Sequence, residues 1–404
     1  MGSSSVPFIS LLSHPVVRAF GGVCVGAMLL QAAPALAGPE DPNAKPASEA
    51  AKPAAEPQDA AQPAGDPVLS FFKKVEVSGI VDTYFTYNFN APATGTFTPY
   101  HSFDVKHNQF SLALVELAFA KPTSAEERVG FRFDLQYGQV AQVFNTDPLD
   151  NNNLVNVQQG YISYLAPAGK GLTFEVGKFV TPIGSEATEA APNNNYSRAF
   201  LYQFGPFYHV GARLSYPVHP KFTLGGMVVN GWNATGDNNS GKSFGVSATV
   251  TPTSKVTFIQ NVLVGPENTD NTDDVRTYSD TNLAVVASDK VTTGLNYIYG
   301  KDASNNWQGL ALYLKGQITP VFALAPRYEW FDDKDGFGFA TGVPQKMQEF
   351  TMTAEVKHAK GLIMRLEYRR DWSDEEVFVK NGVSKKNQDT VTVGFVYSFS
   401  SKAP

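Results

Sequence analysis

Charged side chains recur at alternate positions along segments of about ten residues, and that spacing sets the chemistry open to this chain. Arg365, Glu367, Arg369 and Asp371 interleave with Met364, Leu366 and Tyr368. Arg132 and Asp134 interleave with Phe131, Phe133 and Leu135, and Arg327 and Glu329 with Tyr328 and Trp330. Glu355 and Lys357 flank Val356, and Lys315 follows Leu314. Side chains alternate across an extended strand, so each segment has one greasy and one charged face. With Asp82, Glu175 and Arg213 the charged faces carry seven cations (Arg132, Arg213, Lys315, Arg327, Lys357, Arg365, Arg369) and seven carboxylates (Asp82, Asp134, Glu175, Glu329, Glu355, Glu367, Asp371). Such an array makes and breaks no bonds, but it can line water and act locally on ions. Equal numbers predict weak overall charge selectivity. For any one of these residues the plainer reading is a solvated wall position neutralised by its neighbours.

Constellations for bond-making chemistry are not found. His101, His107, His209, His219 and His358 are scattered, with no His-x-x-x-His pair, so no metal site is expected. The acidic runs Asp270–Asp274 and Asp332–Asp335 lack calcium-loop spacing. No nucleophile motif marks a hydrolase, and Gly294 to Gly300 falls in a strand pattern rather than a phosphate cradle. No catalytic residue and no cofactor is expected. A net charge of −6 argues against a nucleic-acid partner.

The elements that must position the charged faces are strands. Aromatic residues make up 12% of the 404 residues and charged residues only 17%, below the share in an ordinary soluble domain. A mean hydropathy of −0.19 leaves no room for a bundle of membrane helices. From Val68 onward, period-2 segments start near 75, 106, 128, 155, 171, 207, 222, 242, 255, 279, 290, 307, 321, 347, 361 and 388. A soluble β-sandwich also alternates, but three features favour a barrel that spans a membrane. Charges recur in the middle of the polar faces. Short connections such as 167–170, 217–221 and 252–254 alternate with longer ones such as 90–105, 145–154, 181–205, 265–278, 334–346 and 373–387. Aromatics recur near segment ends, among them Tyr84, Tyr87, Trp232, Trp307, Trp330 and Trp372, as interfacial girdles require. Hydrocarbon offers no hydrogen-bond partner, so a spanning sheet must close on itself. The expected fold is therefore an all-β, transmembrane antiparallel β-barrel of sixteen strands, or fourteen if the segments near 279 and 290 do not form.

Residues 181–205 are too long for a hairpin turn and carry Glu186, Glu189 and Arg198. This loop is expected either to fold into the lumen as a constriction or to pack outside against its neighbours. With the basic cluster at 315–370, its acids would set a transverse field across the opening.

Two segments precede the barrel. Residues 1–37 read as a secretory signal peptide: Arg18, an apolar run to Leu30 that is too short to span a bilayer, and Ala35-Leu-Ala37 before the cleavage point. The only Cys, Cys24, would leave with it. Residues 38–67 hold seven Pro and nine Ala with no aromatic or branched aliphatic side chain, so a disordered periplasmic spacer is expected. Residues 68–404 would form the barrel.

At the C-terminus, Thr392-x-Gly394-x-x-Tyr397-x-Phe399 resembles the terminal-strand signal read by the bacterial barrel-assembly machinery, although Ser400–Pro404 follow the last aromatic. The stretch from Gly171 through Gly177, Pro182 and Gly184 to Glu186, followed by Asn193–Arg198 and Gly205–Gly211, resembles the OmpL-like family called putative β-barrel porin-2. It is more distantly similar to the phosphate-selective porins O and P. The resemblance spans 68–399 and implies an outer-membrane channel for small hydrophilic solutes or ions, surrounded by outer-membrane lipid, as a monomer or homotrimer. It fixes no solute, and the Arg/Lys ladder of phosphate porins is not evident. A structural or adhesive barrel with a plugged lumen, or an outer-membrane hydrolase, are the competing readings.

Overall fold

A computed structural model describes residues 67–92, 97–144, 154, 156–358 and 361–402. The proposed leader and nearly all of the Pro/Ala-rich spacer, residues 1–66, lie outside the described residues. A short helix, α1 (Pro67–Phe72), leads into the sheet. The strands are β1 (Glu76–Asn88), β2 (Gln109–Lys121), β3 (Val129–Tyr137), β4 (Val157–Ala166), β5 (Leu172–Val180), β6 (Tyr208–His219), β7 (Phe222–Val229), β8 (Ser243–Thr253) and β9 (Val256–Asn268). They continue with β10 (Asn271–Ser288), β11 (Val291–Asp302), β12 (Asn305–Gln317), β13 (Phe322–Asp333), β14 (Gln345–Lys357) and β15 (Leu362–Ser373). A small hairpin, β16 (Phe378–Lys380) and β17 (Val383–Lys385), precedes the last barrel strand, β18 (Asn387–Ser400). Helices α2 (Gln139–Phe144) and α3 (Phe200–Gln203) lie in long loops.

β1 to β15 and β18 form a closed barrel in which each strand pairs with its neighbours in sequence. Closure is made by β1 against β18, antiparallel from Ser78↔Ser400 to Asn88↔Thr390, so the barrel exposes no unpaired edge. All sixteen expected strands form, including those near 279 and 290. Period-2 patterning decides which face looks out: Leu366, Tyr368, Phe395, Tyr397 and Phe399 are exposed on the outer face, whereas Arg365, Glu367, Arg369 and Asp371 are buried on the inner one.

Two expectations need correction. Residues 265–278 are not a long loop: β9 and β10 run on as a ladder to Asn268 and Asn271, turning with Asp270 at φ +56°. Polar residues on both faces hide the strand period, and the inward ones are satisfied by partners, Glu267 by the Trp232 N–H and the Ser243 hydroxyl and Arg276 by Asp302. Tyr84, Trp232 and Trp307 are not girdle residues: Tyr84 and Trp307 point inward and are buried, and Trp232 packs on the buried Tyr278 of the inner cluster. The Tyr84 hydroxyl donates to Gln139 Oε1 on α2 at 3.0 Å, and Trp307 packs on Tyr278 and Phe337.

The apolar core lies inside the barrel at the long-loop end. Tyr100 from the β1–β2 loop, Phe200 and Phe204 from the β5–β6 loop, Phe331 and Phe339 around the β13–β14 loop, and Phe378 of β16 meet ring against ring at 4.5–6.0 Å.

Candidate functional site

The β5–β6 connection, residues 181–207, runs inside the barrel. Its two ends stay together, with the Thr181 N–H donating to Phe207 O at 3.1 Å. Gly177, at φ +138° within β5, permits close approach to β4: a Cβ there would lie 2.2 Å from Gly160 O. After Pro182 the chain bends at Gly184 (φ +97°) and touches the wall at β9 and β10. There the Gly184 N–H donates to Asp280 Oδ2 at 3.1 Å, and Asn261 Nδ2 donates to Pro182 O at 2.9 Å.

The remainder is bonded along its length to the charged faces of β13 to β15. Glu329 accepts from the Phe200 and Leu201 N–H groups at 2.6 and 2.9 Å, and Glu367 from those of Tyr196 and Ser197 at 2.5 and 2.8 Å. Arg327 donates to Glu186 and to Ser197 O, both at 2.8 Å, while its Nε meets Glu349 at 2.7 Å. Arg365 donates to Ala190 O at 2.6 Å and to Glu355, and Arg369 donates to Arg198 O at 2.7 Å. Asn195 Nδ2 reaches both Ala325 O and Thr353 Oγ1. A loop of irregular backbone at membrane depth needs such partners, because its own N–H and C=O groups have none from secondary structure.

Tyr196 closes the far side. Its hydroxyl donates to Asp82 Oδ1 at 2.7 Å, and its ring lies so close to β18 that a Cβ on Gly394 would come within 2.3 Å of Cδ2. Gly394 thus has a packing role that the terminal-strand pattern did not suggest. Gly394→Ala is expected to displace the Tyr196 ring and break its bond to Asp82, leaving a barrel that folds with a loosened loop. Limited proteolysis of the folded protein checks this: cleavage within 181–207 should be faster than in wild type.

The β1–β2 loop covers the assembly from the long-loop end. Phe103 packs on Tyr202, and His101 Nδ1 meets Asp104 at 2.6 Å with Nε2 3.4 Å from Asp371. Burial pulls the His101 pKa down, but the adjacent Asp104 carboxylate outweighs it and lifts the value to about 9. Burial likewise pushes Asp104 up, and the charged His101 beside it overrides this to hold it at about 2. A raised histidine stabilises most below its unfolded pKa and loses that contribution as pH rises through its folded one. The thermal stability advantage of wild type over His101→Gln should therefore be largest near pH 6 and shrink towards pH 9 or above. An advantage that grows with pH over this range would contradict the pairing.

The residues singled out in the sequence fall into two groups. Asp82, Asp134, Arg327, Glu329, Glu355, Arg365, Glu367, Arg369 and Asp371 face inward but are buried. Arg132, Glu175, Arg213, Lys315 and Lys357 are solvated to differing degrees. In the loop, Glu186 and Arg198 are buried, Arg198 donating to Ala187 O and Thr188 O, and Glu189 accepts from Gln158 Nε2. Glu186 and Arg327 are in contact rather than facing each other across water, so the expected transverse field has no gap to act over. Tyr397 and Phe399 lie on the outer face of β18.

The buried strand carboxylates that escaped the sequence tally are Glu116, Asp280, Asp302, Asp333 and Glu349. Asp280 accepts from Asn261, Asn282 and Asn296 side chains as well as from Gly184. The lumen is thus divided lengthwise. Inward positions on β13 to β15, β18 and β1 are largely sealed beneath loops, whereas those on β5 to β8, such as Thr173, Ser215, Gly225, Ser247 and Thr249, are partly solvated.

A family model described as putative beta-barrel porin-2, OmpL-like, matches residues 74–399. None of the curated proteins matches this sequence. Among solved structures, OmpF of Salmonella typhi in complex with daunomycin superposes with a TM-score of 0.56 at 11% identity, covering 80% of this chain and 97% of its own. An anion-selective porin from Comamonas acidovorans gives 0.52 at 13% identity, with 80% and 99% covered. OmpT, an outer membrane protein of Vibrio cholerae, gives 0.52 at 11%, with 80% and 97% covered. At these identities the likeness is one of fold.

Proposed function

The chain belongs to the OmpL-like putative beta-barrel porin-2 family of outer-membrane barrels, and on that premise we propose that it is a passive diffusion channel for small hydrophilic solutes and ions. The observation that carries this reading is the lengthwise division of the lumen. The loop 181–207 is bonded to one half of the wall, which leaves a solvated passage along the other. In this reading the loop is the constriction and Arg132, Glu175 and Arg213 line the path, while Lys315 and Lys357 lie at the short-turn end of the wall that carries the loop. Glu175 and Arg213 bond each other at 2.5 Å, and Lys315 bonds Glu355 at 2.6 Å, so charge selectivity is weak.

The same proposal includes removal of the leader after Ala37, insertion by the barrel-assembly machinery through the terminal strand bearing Gly394, Tyr397 and Phe399, and a homotrimer, the form in which one structure of Vibrio cholerae OmpT was solved. Planar-bilayer recordings of the refolded protein in a KCl gradient test the channel. Discrete steps with a small reversal potential are expected. Silence from a folded barrel would favour a plugged, structural barrel instead.

A further inference from the structure

Two cavities lie along the solvated half of the lumen, on either side of the strap Pro182–Gly184. The first, about 220 Å³, is bordered by Pro182, Ser215, Gly225, Ser247 and Asn261 together with the Glu175–Arg213 pair. The second, about 260 Å³, lies towards the short-turn end between the loop and β9 to β12, bordered by Ser185, Asn193, Ile259, Asn282, Thr292 and Tyr313.

The charges around the second cavity are spent or peripheral. Glu186 is occupied by Arg327 and by the Ala199 N–H, and Lys255 is at the β8–β9 turn. The neutral polar groups differ. Asn282 is buried and gives its Nδ2 to Asp280, leaving Oδ1 without a partner. Asn261 Oδ1, between the two cavities, is likewise unpartnered. The Tyr313 hydroxyl lies within hydrogen-bonding reach of Ser185, and each oxygen retains capacity for a further bond. Amide and hydroxyl oxygens with spare capacity, together with the Tyr313 ring and the Ile259 side chain, match a ligand with several hydroxyls and apolar C–H faces. They offer no full charge to offset the desolvation of an ion.

We propose that this cavity is a subsite for an uncharged polyhydroxylated solute, a sugar or polyol the size of one hexose. Resting on the channel reading above, it names the class of solute that the channel holds in passing. Asn282 and Ser185 bind hydroxyls, and Tyr313 both hydrogen-bonds and supports a C–H face. The Gly184–Asp280 contact fixes the loop side of the site relative to the wall.

The test uses the full-length refolded protein in planar bilayers in KCl, with probes added from the short-turn side. Glucose and mannitol are compared with gluconate and glucosamine, charged molecules of similar size. The neutral probes are expected to reduce ion current saturably, with half-saturation at least tenfold lower than for either charged probe. Tyr313→Phe is expected to weaken the glucose effect severalfold. Tyr313→Phe/Asn282→Ala is expected to weaken it further. Current that falls only in proportion to solution viscosity, or equally for charged and neutral probes, would overturn the subsite and leave the channel standing. A folded barrel with no current would instead remove the channel reading and the subsite with it.

Discussion

Replacing residues 185–203 by a short Gly/Ser turn is expected to raise single-channel conductance severalfold while leaving the barrel assembled. The deletion is sterically feasible because Thr181 and Phe207 already face each other across a backbone hydrogen bond. Barrel closure rests on ladder pairing from β1 to β18, in which the deleted residues take no part. What changes is the wall of β13 to β15. Arg327, Arg365 and Arg369 and their carboxylate neighbours are buried only because the loop and its neighbours cover them, and water would replace the loop's backbone groups as their partners. Newly hydrated charges would also make the current more sensitive to ionic strength. An unchanged conductance would mean that the loop lies off the conducting path.

Arg327→Ala is expected to be the most damaging single substitution on the inner wall. It would take the guanidinium from Glu186, Glu349 and the Ser197 carbonyl in a region closed to water, leaving Glu186 with the Ala199 N–H and Glu349 with the Thr351 hydroxyl. Removing one partner from a buried ion pair costs about 3–5 kcal/mol, because the remaining charge is stranded. The lost fork geometry also means that Lys should rescue poorly. Arg327→Met combined with Glu186→Gln and Glu349→Gln should recover part of the loss, since the two carboxylates that pair with Arg327 then carry no charge to strand. Denaturant unfolding of the four proteins in one detergent reads the difference. A midpoint for Arg327→Ala equal to that of wild type would show that the cluster is hydrated.

Much of the barrel was legible because a lipid-facing wall imposes a strict period of two. The segment 361–371 shows the rule at its plainest, with Met364, Leu366 and Tyr368 outward and Arg365, Glu367 and Arg369 inward. Where the rule blurs, so did the reading. Asp280 was missed because Ser279 and Thr281, its neighbours on the outer face, are also polar. They are tolerated there because they bond Gln260 on β9, through Thr281 Oγ1 to Oε1 at 2.7 Å and Nε2 to Ser279 Oγ at 3.1 Å. Glu116 lies in the nearly continuous apolar run of β2, where a register shift at Asp82/Thr83 disturbs the alternation.

The candidate site was less legible than the barrel. Length and composition marked 181–205 as unusual, but its docking is made largely through backbone groups of the loop. Ala190, Asn195, Arg198 and Ser197 contribute carbonyls, and Tyr196, Phe200 and Leu201 contribute N–H groups. Those groups are the same in every sequence, so no pattern of side chains announces which of them will be used. The inner charges were read as a solvated lining, whereas Asp82, Arg327, Glu329, Arg365, Glu367 and Arg369 serve as anchors for the loop.

The lengthwise division of the lumen can be tested directly because the chain's only cysteine is Cys24, within the leader. Single cysteines are placed at Ser247 on the solvated half and at Thr353 beneath the loop, and each channel is exposed to a small cationic thiol-reactive reagent during recording. Ser247→Cys is predicted to react and lose current stepwise, while Thr353→Cys stays unmodified and conducts unchanged. Rapid block through Thr353→Cys with none through Ser247→Cys would place the passage on the other side of the loop and contradict the account.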